Sequence, residues 1–407
     1  MGDAYSDQLT RSGHRDRPTD LDLFAELGIR KLRYPVLWEH VAPNGLHQPD
    51  WRWADERLPR LQALGIDPIV GLVHHGSGPR YTALHRPNFA KELARYAGMV
   101  AERYPWLTYY TPVNEPLTTA RFSGLYGLWY PHGLDDATFI RILLNQVQAT
   151  RLAMQAIRRV NPAAKLVQTE DLGKTHSTPA LAGQAEFENH RRWLTYDLLC
   201  GTITHTHPMW GYLRENGISA AELEELSAYP CPPDIVGINY YVTSERFLDE
   251  RAERYPQHAA RQGHGPDYVD MEAVRVQEAT MLGLGTLLRE AWERYQLPLA
   301  VTECHLACTR EEQMRWLHQA WQETNALRAD GVDVQGLTVW SLLGAYDWDS
   351  LLTRDGSFYE SGVFDMRGGR PRSTALFKMV QHLARYGHYD HPLLQSPGWW
   401  HRDIRCA

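Results

Sequence analysis

Cysteine is scarce in this chain. Cys200, Cys231, Cys304, Cys308 and Cys406 are odd in number and scattered. That pattern excludes a disulfide scaffold and leads us to expect a reducing, cytoplasmic setting. Cys304 and Cys308 have the spacing of a metal half-site, but no second pair completes it. No apolar stretch approaches the 18 residues of a membrane helix, so no membrane association is expected. The start, Met-Gly-Asp-Ala-Tyr-Ser-Asp, lacks the apolar core of a signal peptide. Basic runs are missing too, and the formal net charge is −7, which argues against a nucleic-acid partner. No linker rich in Pro, Gly or Ser divides the chain. We therefore expect one domain spanning residues 1–407.

What is abundant is aromatic. There are 14 Trp and 21 Tyr against 9 Phe. An indole can cover a sugar face and still hydrogen-bond at its edge. Such residues can equally build a large core, and composition does not separate the two.

The order of elements is repetitive. Thr19 and Asp22 form a candidate capping box, Leu21, Phe24 and Ala25 follow helical spacing, and Gly28 ends the turn. A strand follows at 29–35. The pattern recurs after Asp55, which opens a helix with Leu58, Leu61 and Leu64 on one face. Further strands are expected near 67–73, 107–113, 165–170, 235–241, 298–303 and 336–342. Helices are expected at 89–103, 137–160, 284–296 and 311–329. Strands alternating with helices imply parallel strands joined by crossover helices. The fold class is therefore α/β, a (β/α)8 TIM barrel. Seven strands are visible where closure needs eight, so the first strand is atypical or missing. The polar segment 245–275 reads as a long surface loop over the barrel mouth. The tail 388–407 resists assignment.

Two strands end in glutamate. Thr111-Pro-Val-Asn-Glu115-Pro and Leu299-Ala-Val-Thr-Glu303-Cys each aim a carboxylate from a strand tip. Active sites of such barrels sit at those tips, and paired carboxylates perform glycoside hydrolysis. Other polar strand-end residues are Arg33, His74, His75, Asn114, Glu170, Asp171, Asn239, Tyr240, Tyr241 and Trp340.

These segments together resemble glycoside hydrolase family 1, the β-glucosidase and β-galactosidase family. Thr-Pro-Val-Asn114-Glu115-Pro is similar to its T-x-N-E-P motif, and Val-Thr-Glu303 to its I-T-E-N-G motif. Arg33-Tyr-Pro-Val-Leu-Trp38 resembles R-F-S-x-x-W. Gly-Leu-Val-His74 resembles T-L-Y-H, and Gly-Ile-Asn239-Tyr-Tyr241 resembles G-x-N-Y-Y. Val-Trp340-Ser-Leu-Leu with Tyr-Asp347-Trp348 resembles W-S-L-x-D-N-F-E-W. The matches fall in family order over roughly residues 20–386. The resemblance implies a retaining β-glycosidase without cofactor or metal, acting on a small carbohydrate or β-glycoside. Glu115 would be the acid/base and Glu303 the nucleophile. Arg33 and Tyr241 would keep Glu303 ionised, and Glu303 would keep Glu115 protonated. Asn114, His74, Asn239, Trp340, Asp347 and Trp348 would bind sugar.

The departures are local. Cys304-His305 follow Glu303 where the family has Asn-Gly, and His75 replaces an aromatic. Gly344-Ala345 stand for Asp-Asn. Asp347 stands for a glutamate that grips outer sugar hydroxyls. The family's first-strand Gln has only Gln8 as a poor counterpart. Glu170 and Asp171 would face the leaving group or form a surface pair. Two other classes are open: a carbohydrate-binding protein on the same scaffold, and a metal-dependent hydrolase using His205-Thr-His207 or His74-His75. Oligomeric state is not legible.

Overall fold

The computed structural model describes residues 6–263 and 265–402. Cys406 and the first five residues lie outside the described residues. The chain falls into two units, taken here one at a time. The first comprises residues up to 170, 195–236 and 339–389. The second comprises 171–194, 237–338 and 390 onward.

In the first unit, strands β1 (Lys31–Pro35), β2 (Asp67–His74), β3 (Tyr109–Asn114) and β4 (Lys165–Asp171) are neighbours in that order. All are parallel, and the register sets His74 beside Asn114 at the strand tips. Helices Arg52–Ala63, Phe89–Arg103 and Asp136–Val160 connect them. In the second helix Phe89, Leu93, Tyr96, Ala97 and Val100 recur every three or four residues and are buried. They pack on the long third helix, started by Asp135, whose side chain accepts from Thr138 N. Burying each Leu, Val or Phe stabilises the unit by roughly 1.5–3 kcal/mol. Leu166, Val167, Gln168 and Thr169 are all buried, as expected of a parallel strand covered on both faces.

In the second unit, β5 (Ile235–Tyr241), β6 (Leu299–His305) and β7 (Val334–Val339) are neighbours in that order. Helices Gly283–Tyr295 and Arg310–Ala329 lie between them in sequence. The tail now has a place: Trp400 meets Trp316 edge-on at 4.9 Å, and Arg402 pairs with Glu312 at 2.8 Å.

The seven expected strands and their helices are present, and among the described residues no strand precedes β1. The chain there forms the short helix Gln8–Arg11 and a helical turn at His14–Asp16. Three expectations need correction. Thr19 makes no capping bond, because its own backbone is already helical (φ −64°, ψ −15°) and its hydroxyl cannot reach forward. A true capping box sits at Ser219 and Glu222, where Ser219 is extended. Asp55 does not open its helix. It lies in the first turn and holds Arg103 at 2.5 Å and Tyr104 at 2.8 Å. Segment 245–275 is not a bare loop. Arg246–Asp249 pairs antiparallel with Val269–Glu272 and parallel with Thr175–Ser177. Phe247, Val269 and Met271 alternate inward to a small core, a period-two signal hidden among the charges.

Candidate active site

Glu115 directly follows β3, with only 4 % of its surface exposed. Its backbone is left-handed (φ 45°, ψ 65°), and the short helix Pro116–Ala120 starts behind it. A non-glycine residue there costs on the order of 1–3 kcal/mol, so the surroundings must hold it. Part of that hold is Glu170. Its fully buried carboxylate accepts from Leu117 N at 2.5 Å, Thr118 N at 3.4 Å and the Thr195 hydroxyl at 2.6 Å. Glu170 therefore neither faces a leaving group nor belongs to a surface pair. It anchors the start of the helix that carries Glu115. Asp171 instead accepts from Ser244 Oγ at 2.5 Å in the second unit.

Burial pushes the Glu170 pKa up to about 7, against hydrogen bonds from Thr195 and Leu117 that lower it. Since the folded value exceeds the unfolded one near 4.5, its contribution is full below that value and is lost as pH rises through about 7. Glu170→Gln removes this titration. We expect the unfolding free energy of the variant, relative to wild type, to rise by about 3 kcal/mol across that window. Urea unfolding at a series of pH values checks it. A pH-independent difference would mean that Glu170 is ionised throughout.

Asn114 ends β3 and is almost wholly buried. Its Oδ1 accepts from Arg33 Nη2 at 2.5 Å and Thr169 Oγ1 at 2.9 Å. Two donors on one atom fix the amide orientation, leaving Nδ2 toward His75 Nε2 at 3.4 Å. His74, at the tip of β2, keeps contact with solvent. The protein around this solvent-exposed ring and the Arg33 guanidinium lower its pKa, so it is a neutral hydrogen-bonding ring.

Beside these lies an aromatic cluster. Trp340 and Trp348 have ring centres 6.1 Å apart, Trp129 and Trp348 6.4 Å, and His75 lies 5.1 Å from Trp129 and 5.6 Å from Trp348. Trp129 is the member the sequence reading missed. Its signal was the run Leu-Trp-Tyr-Pro shortly after the Glu115 helix, and its indole N–H donates to Leu351 O at 2.7 Å.

Asp347 is present next to Trp348, but its carboxylate is already engaged. Oδ2 takes Arg11 Nη1 at 2.7 Å and Oδ1 takes Phe358 N at 2.7 Å. Burial alone would raise its pKa; Arg11 and the backbone donor outweigh burial and hold it below the usual carboxylate range. Gln8 is spent as well, its amide bridging both the N–H and the carbonyl of Tyr346 at 2.9 Å each. Gly344 has φ +74°, and a Cβ there would run into the Glu360 carbonyl. An aspartate could not occupy that position without rebuilding the turn.

In the second unit, Glu303 lies in β6 and is 2 % exposed. The Tyr241 hydroxyl, at the end of β5, donates to its Oε2 in a short hydrogen bond. Asn239 is fully buried, and its Oδ1 accepts from Thr302 Oγ1 at 2.6 Å. Nucleophile candidate and neighbours are thus pinned from β5. Cys304 is buried and its thiol pKa is pushed up by burial, while Cys308 is exposed. His207 spends Nε2 on Asp197 at 3.2 Å and Nδ1 on Met209 N at 3.1 Å, in a loop of the first unit, and His205 is exposed.

A sequence profile described as Glycosyl hydrolase family 1 matches residues 5–361. The chain belongs to glycosyl hydrolase family 1. It is a glycoside hydrolase of the β-glucosidase-like class. It is 27 % identical over 357 residues to a 6-phospho-beta-glucosidase of Dickeya chrysanthemi, covering 79 % of this chain and 74 % of that one. It is 24 % identical over 370 residues to a phospho-cellobiase of Klebsiella oxytoca (83 % and 77 %). It is also 24 % identical over 374 residues to a bifunctional beta-D-glucosidase/beta-D-fucosidase of Bifidobacterium breve (81 % and 78 %). Among solved structures, a beta-glucosidase from Thermotoga maritima in complex with deoxynojirimycin superposes with a TM-score of 0.75 at 17 % identity, covering 93 % of this chain and 88 % of that one. That likeness shows the fold, a (β/α)8 TIM barrel. No helix of the described residues is long and apolar enough to cross a membrane.

Proposed function

We propose that this enzyme is a retaining β-glycosidase that cleaves a β-O-glycosidic bond through a covalent glycosyl-enzyme. Residues 1–407 act as a single catalytic domain in this reading. Glu303 attacks the anomeric carbon, and Glu115 protonates the departing oxygen, then takes a proton from the incoming water. The observation that carries the reading is the Tyr241 hydroxyl on Glu303 Oε2, a donor that favours the charged, nucleophilic form. Asn114 and the neutral His74 supply hydrogen bonds to ring hydroxyls, and Trp340 with Trp348 supply apolar cover for a sugar face. Arg33 acts here by orienting Asn114. Asn239 supports β6 through Thr302.

For the glycone we propose an uncharged sugar. The names of the Dickeya and Klebsiella relatives raise a phosphorylated one, which needs an available cation. Beside Asp347 the guanidinium is Arg11, and it is matched by Asp347 at 2.7 Å and Asp355 at 3.6 Å. With both Asp347 oxygens engaged, we propose weak discrimination at the outer hydroxyls, so that fucosides and xylosides rival glucosides. The few, scattered cysteines favour a reducing cytoplasm for this activity.

The test is a panel of aryl β-glycosides: gluco, galacto, fuco, manno, xylo, glucuronide and 6-phosphogluco. We expect turnover of neutral glycosides, with kcat/KM for xyloside and fucoside within about tenfold of glucoside. A site built to hydrogen-bond that hydroxyl would otherwise reject the analogue lacking it by roughly 10⁴–10⁵-fold. Turnover confined to the 6-phosphoglucoside would overturn the uncharged glycone. No turnover of any member, with sugar binding retained, would favour a binding protein.

A further inference from the structure

Resting on the reading above, in which Trp348 covers a sugar face, we infer that Trp129 is a positioning residue: its indole N–H pins the strained turn that carries Trp348. That turn begins at Asp347, runs through the helical turn Trp348–Ser350 and ends at Leu351 and Leu352. Asp347, Leu351 and Leu352 all have left-handed backbones, with φ of 56°, 50° and 59°. None is glycine, so each crowds its Cβ against the backbone and costs free energy relative to an ordinary turn. A turn with three such residues persists only if its surroundings hold it. Its internal bonds fold back on its own start: Leu351 N donates to Trp348 O and Leu352 N to Asp347 O, at 3.0 Å each. Asp347 is fixed from outside by Arg11 and Phe358. At the far end, the Leu351 carbonyl accepts from Trp129 Nε1 at 2.7 Å. Among the described residues, that is the one hydrogen bond that reaches residues 348–352 from outside the segment 347–353.

Trp129 is itself anchored. Its backbone N–H donates to Phe122 O at 3.1 Å, and its ring meets Phe122 edge-on at 4.9 Å. Phe122 lies in the π-helical turn Arg121–Leu125, which continues the helix behind Glu115. Contacts therefore run from the acid's helix through Phe122 and Trp129 to Leu351, and so to the turn that bears Trp348. The two indoles also lean on each other, with ring centres 6.4 Å apart and planes inclined by 37°. An indole has one donor and no acceptor, so the Leu351 carbonyl takes all the hydrogen bonding that Trp129 has to give. Phenylalanine at 129 would keep an aromatic ring against Phe122 and Trp348 and lose the N–H. The Leu351 carbonyl would then lack its donor, the left-handed backbone at 351 and 352 would relax, and Trp348 would leave its place. Glycine at 351 and 352 would remove the need for the pin, because it adopts positive φ without the Cβ cost.

The test places Trp129→Phe in two backgrounds, wild type and Leu351→Gly/Leu352→Gly. It reads KM and kcat on neutral aryl β-glycosides and amide hydrogen exchange over residues 347–353. In the wild-type background we expect Trp129→Phe to raise KM by about five- to tenfold at nearly unchanged kcat, the scale of one net hydrogen bond. Exchange over the turn should accelerate by a similar factor. In the glycine background the same substitution should change KM by less than about twofold, a coupling that a packing role would not show. An unchanged KM in folded Trp129→Phe, or an equal rise in both backgrounds, would overturn the inference and leave Trp129 a packing residue. If Trp129→Phe folds only in the glycine background, that rescue supports the pin, and folding in neither overturns it. Trp348→Ala separates this outcome from failure of the underlying reading, and it should raise KM at least as much as Trp129→Phe. If Trp348→Ala leaves KM unchanged, or wild type turns over no neutral glycoside, the reading of Trp348 as sugar cover fails. Exchange over 347–353 then decides the pin by itself, and exchange no faster in Trp129→Phe than in wild type overturns it.

Discussion

Glu303→Ala should abolish glycoside turnover, with a loss on the order of 10⁴-fold or more, the scale on which removal of a covalent nucleophile acts. The carboxylate is 2 % exposed, so its loss leaves a small cavity beside the Tyr241 hydroxyl rather than an open surface. A cavity of that shape admits a small anion. Azide or formate should therefore restore part of the rate on an activated aryl glycoside, attacking from the vacated side and giving a product of inverted anomeric configuration. Product analysis by NMR identifies the anomer. Wild-type rates in Glu303→Ala would remove the nucleophile assignment altogether. Rescue with retained configuration would mean that another group occupies that face.

Glu115→Gln should produce the second large effect, but unevenly. On an alkyl or disaccharide substrate we expect a loss of about a thousandfold, within the range a general acid contributes. On a dinitrophenyl glycoside the departing oxygen needs no proton, so glycosylation should be nearly unaffected and the intermediate should accumulate. A pre-steady-state burst of dinitrophenol, absent or smaller in wild type, is the signature. Azide should speed the slow second step, because an anion attacks the intermediate without needing a base. Equal losses across leaving groups, without a burst, would show that Glu115 serves structure and not proton transfer. The left-handed backbone at Glu115 makes that control meaningful: the glutamine amide keeps the size and leaves the local strain unchanged.

Much of this was legible because it rests on local pattern. A buried parallel strand is a short apolar run, and a helix between strands repeats at three and four residues. That sufficed for all seven strands and their neighbours. Glu115 and Glu303 stood out because an acidic residue closing an apolar run is unusual. What stayed hidden depends on pairings between distant residues. Nothing in Glu170 says that it will accept from Leu117 N and Thr118 N, since the donors belong to another segment. Nothing in Asp347 says that Arg11 and Phe358 N will hold its carboxylate, since both partners lie elsewhere in the chain. Thr19 looked like a cap because residue type favours that role, but a cap also needs an extended backbone, which no single residue announces. The segment after Glu245 was misread for a related reason. Its strands are four residues each, too short for their alternation to outweigh the charges around them.

The clasp between Gln8 and Tyr346 joins residues 338 positions apart, and Arg11 reaches Asp347 across 336. A ribosome releases the N-terminal half of that clasp first and its receptor nearly last. Through most of synthesis the helix Gln8–Arg11 has nothing to hold, and the surface meant for it does not yet exist. The first unit is assembled from three stretches of chain with the bulk of the second unit threaded between them. Its closure is therefore an event of the finished polypeptide, with the slow kinetics of contacts distant in sequence. The Asp347 carboxylate acquires Arg11 only at that final step, so the first-made end of the polypeptide is secured by its last-made part.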